Sequence, residues 1–192
     1  MKKLIIALAF GLLAFFNANQ ANAQSYGKGH TDLHLGIGLL GTYYGSGVHS
    51  LIPPVNISFE TGVAENIGVG GFLGFSTANY KYNSGGLKYR WNYTYILLGA
   101  RGAYHVGSLL EMDSKWDPYG GLMLGYYIAN ATFHSDDPNV NEANYSSPVS
   151  SSVGWSLFAG TRYQISDKFG VYGELGYGFA LVNVGLHLKI KG

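Results

Sequence analysis

Residues 153–190 read VGWSLFAGTRYQISDKFGVYGELGYGFALVNVGLHLKI, and the fold turns on their period. Successive side chains of a strand point to opposite faces, so every second residue shares a side. Val153, Trp155, Leu157, Ala159 and Tyr163 then lie opposite Gly154, Ser156, Gly160, Arg162 and Gln164. After the turn ISDKF, Val171, Leu175, Tyr177 and Phe179 lie opposite Tyr172, Glu174, Gly176 and Gly178. The last run sets Val182, Val184, Leu186, Leu188 and Ile190 against Asn183, Gly185, His187 and Lys189. Glu174, which first looks like a carboxylate lost among hydrophobic residues, never faces the apolar side. An unpaired buried charge costs several kcal/mol, so its side of the strand has to offer a base.

Working backward, the same period marks five earlier strands. In 32–40, Leu33, Leu35, Ile37 and Leu39 oppose His34, Gly36 and Gly38; in 55–63, Val55, Ile57, Phe59 and Val63 oppose Asn56, Ser58, Glu60 and Gly62. In 67–75, Ile67, Val69, Leu73 and Phe75 oppose Gly68, Gly70 and Gly74, with Phe72 among the glycines. In 90–105, Ile96, Leu98, Ala100, Gly102 and Tyr104 oppose Gly99, Arg101 and His105. The run 119–129 places Leu122, Leu124, Tyr126 and Ile128 outward. Segments 64–66 and 165–169 read as tight turns, whereas 41–54, 76–90 and 130–151 read as long polar loops and 106–118 as a connection of middle length. Short connections at one end and long loops at the other are the pattern of a membrane barrel.

Composition points the same way. The chain has 29 Gly and 16 Tyr but only 12% charged residues, where an average globular protein has about 7% Gly and about 25% charge. The second face of each strand is Gly, Ser and Asn rather than the Lys and Glu of a solvated sheet. Aromatic residues gather at segment ends, at Tyr43, Tyr44, Tyr80, Tyr82, Tyr89, Trp91, Tyr93 and Tyr95, where an interfacial girdle is expected. The alternative is a soluble β-barrel or sandwich, whose apolar face would be the core.

The opening MKKLIIALAFGLLAFFNANQANAQ has the basic, apolar and small-residue order of a secretory signal peptide, with cleavage expected after Ala23. This divides the chain into a leader, 1–23, and one barrel domain, 24–192. Loss of Lys2 and Lys3 leaves ten basic residues against eleven acidic ones, which gives no electrostatic case for nucleic acid. With no Cys, stability has to come from packing or from closing the sheet.

With both termini at one end, Glu60, Arg101, Arg162 and Glu174 reach the lumen at similar heights and form the expected charge network. Arg162 and Glu174, on hairpin partners, are the first expected pair. A structural plug is favoured over a gate or conduction path. His34 and His187 meet across the closing strands, but with no carboxylate or thiol at ligand spacing they read as lumen histidines rather than a metal site. FHSDDPN (133–139) holds His, Ser and Asp in a polar loop, yet nothing orders a nucleophile against a base. No enzyme activity, no catalytic residue, no metal and no cofactor are expected.

GTRYQISDKFGVYGELGYGFALVNVGLHLKI, with LLGARGAYH and DPYGGLMLGY, resembles the small porin-like outer-membrane β-barrel family of the OmpA and OmpX type. The resemblance covers essentially the whole of 24–192 and is strongest from Val153 onward. It implies an all-β, eight-stranded antiparallel transmembrane barrel in the Gram-negative outer membrane, reached by export through the periplasm. Its implied partners are outer-membrane lipids and the barrel-insertion machinery, with a monomeric state. The chain departs from the pattern at its end, Leu188-Lys189-Ile190-Lys191-Gly192, where such barrels usually end on an aromatic residue. The expected role is structural or surface-interacting through the loops, against a narrow channel for ions or small solutes and a lipid-modifying enzyme. The surface ligand is unknown from sequence.

Overall fold

The computed structural model describes residues 26–41 and 47–192. The expected leader 1–23, Tyr43 and Tyr44 lie outside the described residues. Eight antiparallel strands follow one another: β1 (Thr31–Gly38), β2 (His49–Ala64), β3 (Ile67–Ser84), β4 (Leu87–His105), β5 (Trp116–Ser135), β6 (Ser152–Gln164), β7 (Phe169–Tyr177) and β8 (Val182–Lys191). Each pairs with the next, and β8 pairs with β1, so the sheet closes into a barrel and leaves no open edge. The closing seam sets His34 opposite His187 and Leu35 opposite Leu186.

The outer wall is apolar and open to its surroundings on every strand. Leu35, Ile57, Leu73, Leu98, Leu124, Trp155, Leu175 and Leu186 are all exposed, among them Leu98 at 61% and Leu175 at 64%. The reverse face holds the buried polar residues, including Glu60 at 1% and Arg162 at 3%. A soluble barrel would show the opposite arrangement. Glycines on the inner face make room for these side chains: a Cβ at Gly68 would sit 2.7 Å from the Glu60 carboxylate, and one at Gly160 would sit 2.8 Å from Glu174 Cγ.

The strands are much longer on one side than the alternation of apolar residues predicts. The segment 76–90 is not a loop but the upper halves of β3 and β4, paired without interruption from Ile67↔Tyr104 to Ser84↔Leu87. Gly85 and Gly86, both with positive φ, close this hairpin in two residues, the backbone a tight primed turn requires. β2 likewise starts at His49, inside the expected loop 41–54, and β5 runs to Ser135. Of the expected long loops, 136–151 remains, with a short 3-10 turn at Glu142–Asn144. The reason is that backbone pairing, not an apolar face, sustains a strand that stands in water. By contrast β1, β7 and β8 are short, so the barrel rim is high at β3–β5 and low across the seam.

Phe179 also departs from its expected outward place. Gly178 takes φ +108°, which breaks the two-residue period, and Phe179 turns inward at 5% exposure. Its ring meets that of Phe72 edge-on at 5.0 Å.

Candidate functional site

The lumen is filled by two layers. Nearer the termini is an ionic layer, and it contains all four residues singled out from sequence, but with different pairings. Arg101 donates to Glu174 at 2.7 Å and lies 3.8 Å from Glu60. Arg162 instead reaches Asp32, Asp117 at 2.7 Å and Glu60 at 3.4 Å. The expected Arg162–Glu174 pair is therefore replaced. The strand register explains why: Arg162 stands opposite Tyr172, whereas Glu174 stands opposite Gly160. The Glu174 side chain leans across the lumen to β4 and β5, where Tyr119 also donates to it at 2.9 Å.

Several members of the layer lay outside the expected charge network. His105, on the lumen face by parity, bridges Glu60 at 3.0 Å and Asp117 at 2.9 Å, and Asp32 is fully buried. Asp117 precedes Pro118 in what read as a connection, and Asp32 opened the first strand beside its apolar run. Their parity with Tyr119 and His34 was the available indication. Tyr26, ahead of β1, enters the mouth and stacks on His105 with ring centroids 3.7 Å apart. The guanidiniums lie over rings as well, Arg101 above Phe158 at 4.1 Å and Arg162 near Tyr26 at 4.9 Å, which adds cation–π attraction.

Above the ions sits an apolar layer of Phe72, Leu97, Met123, Phe179 and Ala180, with Tyr127 and Phe158 packed against it. A void of about 20 Å³ lies where the two layers meet, room for about one water. A larger cavity of about 560 Å³ opens at the terminal end, lined by Tyr26, His30, Asp32, Lys115, Arg162 and His187 among others. Asp32, Asp117 and Arg162 of the ionic layer form part of its lining.

Higher still, the polarity of the wall inverts. On the outer face, the row Phe75, Ile96 and Ile128 gives way to Thr77, Thr94 and Asn130, and two rows further to Lys81, Arg90 and His134. On the inner face, Tyr80 stands beside Trp91 and Phe133, and Tyr82 beside Tyr89. Tyr80, Tyr82, Tyr89, Trp91, Tyr93 and Tyr95 thus share the lumen-side parity of Phe72 and Arg101 and are not the outward girdle expected from sequence. Ring contacts link them: Tyr82–Tyr89 at 4.9 Å, Trp91–Phe133 at 5.1 Å, and Phe133–Tyr145 of the 136–151 loop at 4.1 Å. The apolar outer face of β4 runs from Ile96 to Tyr104, close to the roughly 9–11 residues with which a tilted strand crosses a bilayer.

A closed antiparallel ring, an apolar outer belt of bilayer height and a polar interior define a small eight-stranded transmembrane β-barrel. Among solved structures the chain is similar to the outer membrane protein OprG from Pseudomonas aeruginosa, at 14% identity over 88% of this chain and 97% of that one, with TM-score 0.49. It is also similar to outer membrane protein W of E. coli, at 15% identity over 86% of this chain and 100% of that one, TM-score 0.48. A third is the attachment invasion locus protein Ail of Yersinia pestis, solved with the heparin analogue sucrose octasulfate, at 14% identity over 84% and 95%, TM-score 0.46. No family profile and no curated protein matches the chain.

Proposed function

We propose that the chain is an integral outer-membrane barrel whose lumen is a structural plug and whose working part is the raised rim of β3–β5, acting in surface interaction. The inversion of polarity across that rim is the observation that carries this reading. Below the Thr77–Thr94–Asn130 row the wall suits lipid; above it the outside suits water and the inside offers stacked aromatic rings. Rings presented on a rigid sheet give large contact area at small cost in conformational entropy. Among the described residues, the low rim at β1, β7 and β8 offers this surface no facing wall of equal height. The two packed layers in the lumen, one ionic and one apolar, support a plug over a conduction path.

The test is electrical. The folded chain in planar bilayers is expected to give no conductance steps. Steps that change with Glu60→Gln or Arg101→Met would replace the plug with the channel reading.

A further inference from the structure

Asp32, His34 and His187 lie together inside the ring, and each offers one ligand atom such that all three atoms fall within 4.8 Å of one another. All three residues are buried, His34 and His187 at 3% exposure and Asp32 at 0%. We propose that they form a binding site for one divalent transition-metal ion of the zinc, cobalt or nickel type. Two imidazoles and one carboxylate, with a position left open, are a donor set that such ions accept.

The imidazoles behave as ligands in want of an ion. Both ring nitrogens of His34 are buried without a hydrogen-bond partner, although buried polar atoms are nearly always paired. His187 Nε2 stands 3.1 Å from Asp32 Oδ1 yet makes no aligned hydrogen bond. Close approach without alignment is the geometry a shared cation would bridge. The two rings are cross-strand partners, nearly parallel with centroids 5.4 Å apart, so small rotations bring both nitrogens onto one ion.

The surroundings favour the site as well. Arg162 holds Asp32 through Oδ2, while Oδ1 faces His187 at 3.1 Å and His30 at 3.2 Å; outer partners of this sort orient a ligating carboxylate. Among the described residues, the ionic layer sets Asp32, Glu60, Asp117 and Glu174 against Arg101 and Arg162, a surplus of acid that a divalent ion offsets. Lys189 stands beside Asp32 at the mouth by strand register. The cavity at the terminal end is lined by Asp32, His187 and His30, the last 3.2 Å from Asp32, and is the side from which an ion would approach.

The test uses the full chain without a histidine tag, refolded in detergent and shown to be folded by heat-dependent gel mobility. Cobalt(II) alone is the probe, with visible absorption reporting four-coordinate binding, and zinc retained after dialysis is counted by elemental mass spectrometry. One ion per chain is expected. His34→Gln and His187→Gln are each expected to weaken binding at least tenfold, while His134→Gln, which removes the exposed pair with Glu142, leaves it unchanged. Absence of the cobalt band from the folded wild type overturns the proposal without recourse to any variant. So does loss of binding in His134→Gln with retention in His34→Gln.

Discussion

Replacing Arg162 by Met keeps most of the side-chain volume and removes the charge. In the structure its guanidinium serves Asp32, Asp117 at 2.7 Å and Glu60 at 3.4 Å. After substitution Glu60 keeps Arg101 at 3.8 Å and His105, whereas Asp32 and Asp117 lose their guanidinium and are left with imidazole partners, His30 and His187 for Asp32 and His105 for Asp117. Breaking a buried pair by removing one partner costs about 3–5 kcal/mol, and two carboxylates stranded at once argue for the upper part of that range. The assay is equilibrium urea unfolding in lipid vesicles, followed by tryptophan fluorescence with gel mobility as the check on folding. Arg90→Met, on the exposed outer face of the rim, is the control and is expected within about 0.5 kcal/mol of wild type. Adding Asp32→Asn to Arg162→Met should cost less than the sum of the two, with a coupling of about 0.5–3 kcal/mol. Equal stability of Arg162→Met and Arg90→Met would refute the ionic layer as a structural element.

The pairings themselves are testable by the same cycle: Arg101→Met and Glu174→Gln are expected to couple strongly, Arg162→Met and Glu174→Gln to couple weakly, as read from urea midpoints. Gly68→Ala brings a methyl against the Glu60 carboxylate and is expected to destabilise by about 1–3 kcal/mol, the range for overpacking. Leu124→Arg, in the apolar belt, should cost about 2–4 kcal/mol in vesicles, whereas Thr94→Arg at the upper boundary should cost about 0–1; equal costs would show that the bilayer does not end at that row. Replacing Tyr80–Trp91 by Asn-Gly should shorten the rim and leave a heat-modifiable barrel, because the ionic and apolar layers lie below the cut; loss of the folded band would show that the rim is needed for folding.

The belt of the barrel was legible in the sequence because a bilayer imposes one rule on every strand that crosses it. Apolar residues face out, and the face of Glu60, Arg101, Arg162 and Glu174 follows from parity alone. Pairing inside the lumen was not legible, since it depends on how far each side chain leans across a circle whose register the sequence does not state. Glu174 stands only two residues beyond Tyr172, the cross-strand partner of Arg162, yet leaning toward Arg101 and Tyr119 carries it to other strands. Asp32 was missed for a related reason. It stands second in β1, where a carboxylate reads as turn chemistry, and only closure of β1 on β8 brings it to His187.

The rim shows where a rule learned from the belt misleads. Tyrosines near strand ends suit the lipid headgroup zone, and that reading assumes the strand stops there. Here β3, β4 and β5 continue, and unbroken parity from Arg101 through Leu97 to Tyr93 and Trp91 carries the aromatics to the inside. Above the belt the sheet returns to the ordinary arrangement of a protein in water, polar without and aromatic within. The same strands therefore serve two solvents in succession. Their inner face changes from ions to apolar packing to stacked rings, while their outer face changes once, at the Thr77–Thr94–Asn130 row. That single outer change fixes the height of the bilayer on the barrel, and everything the rim presents lies on the far side of it.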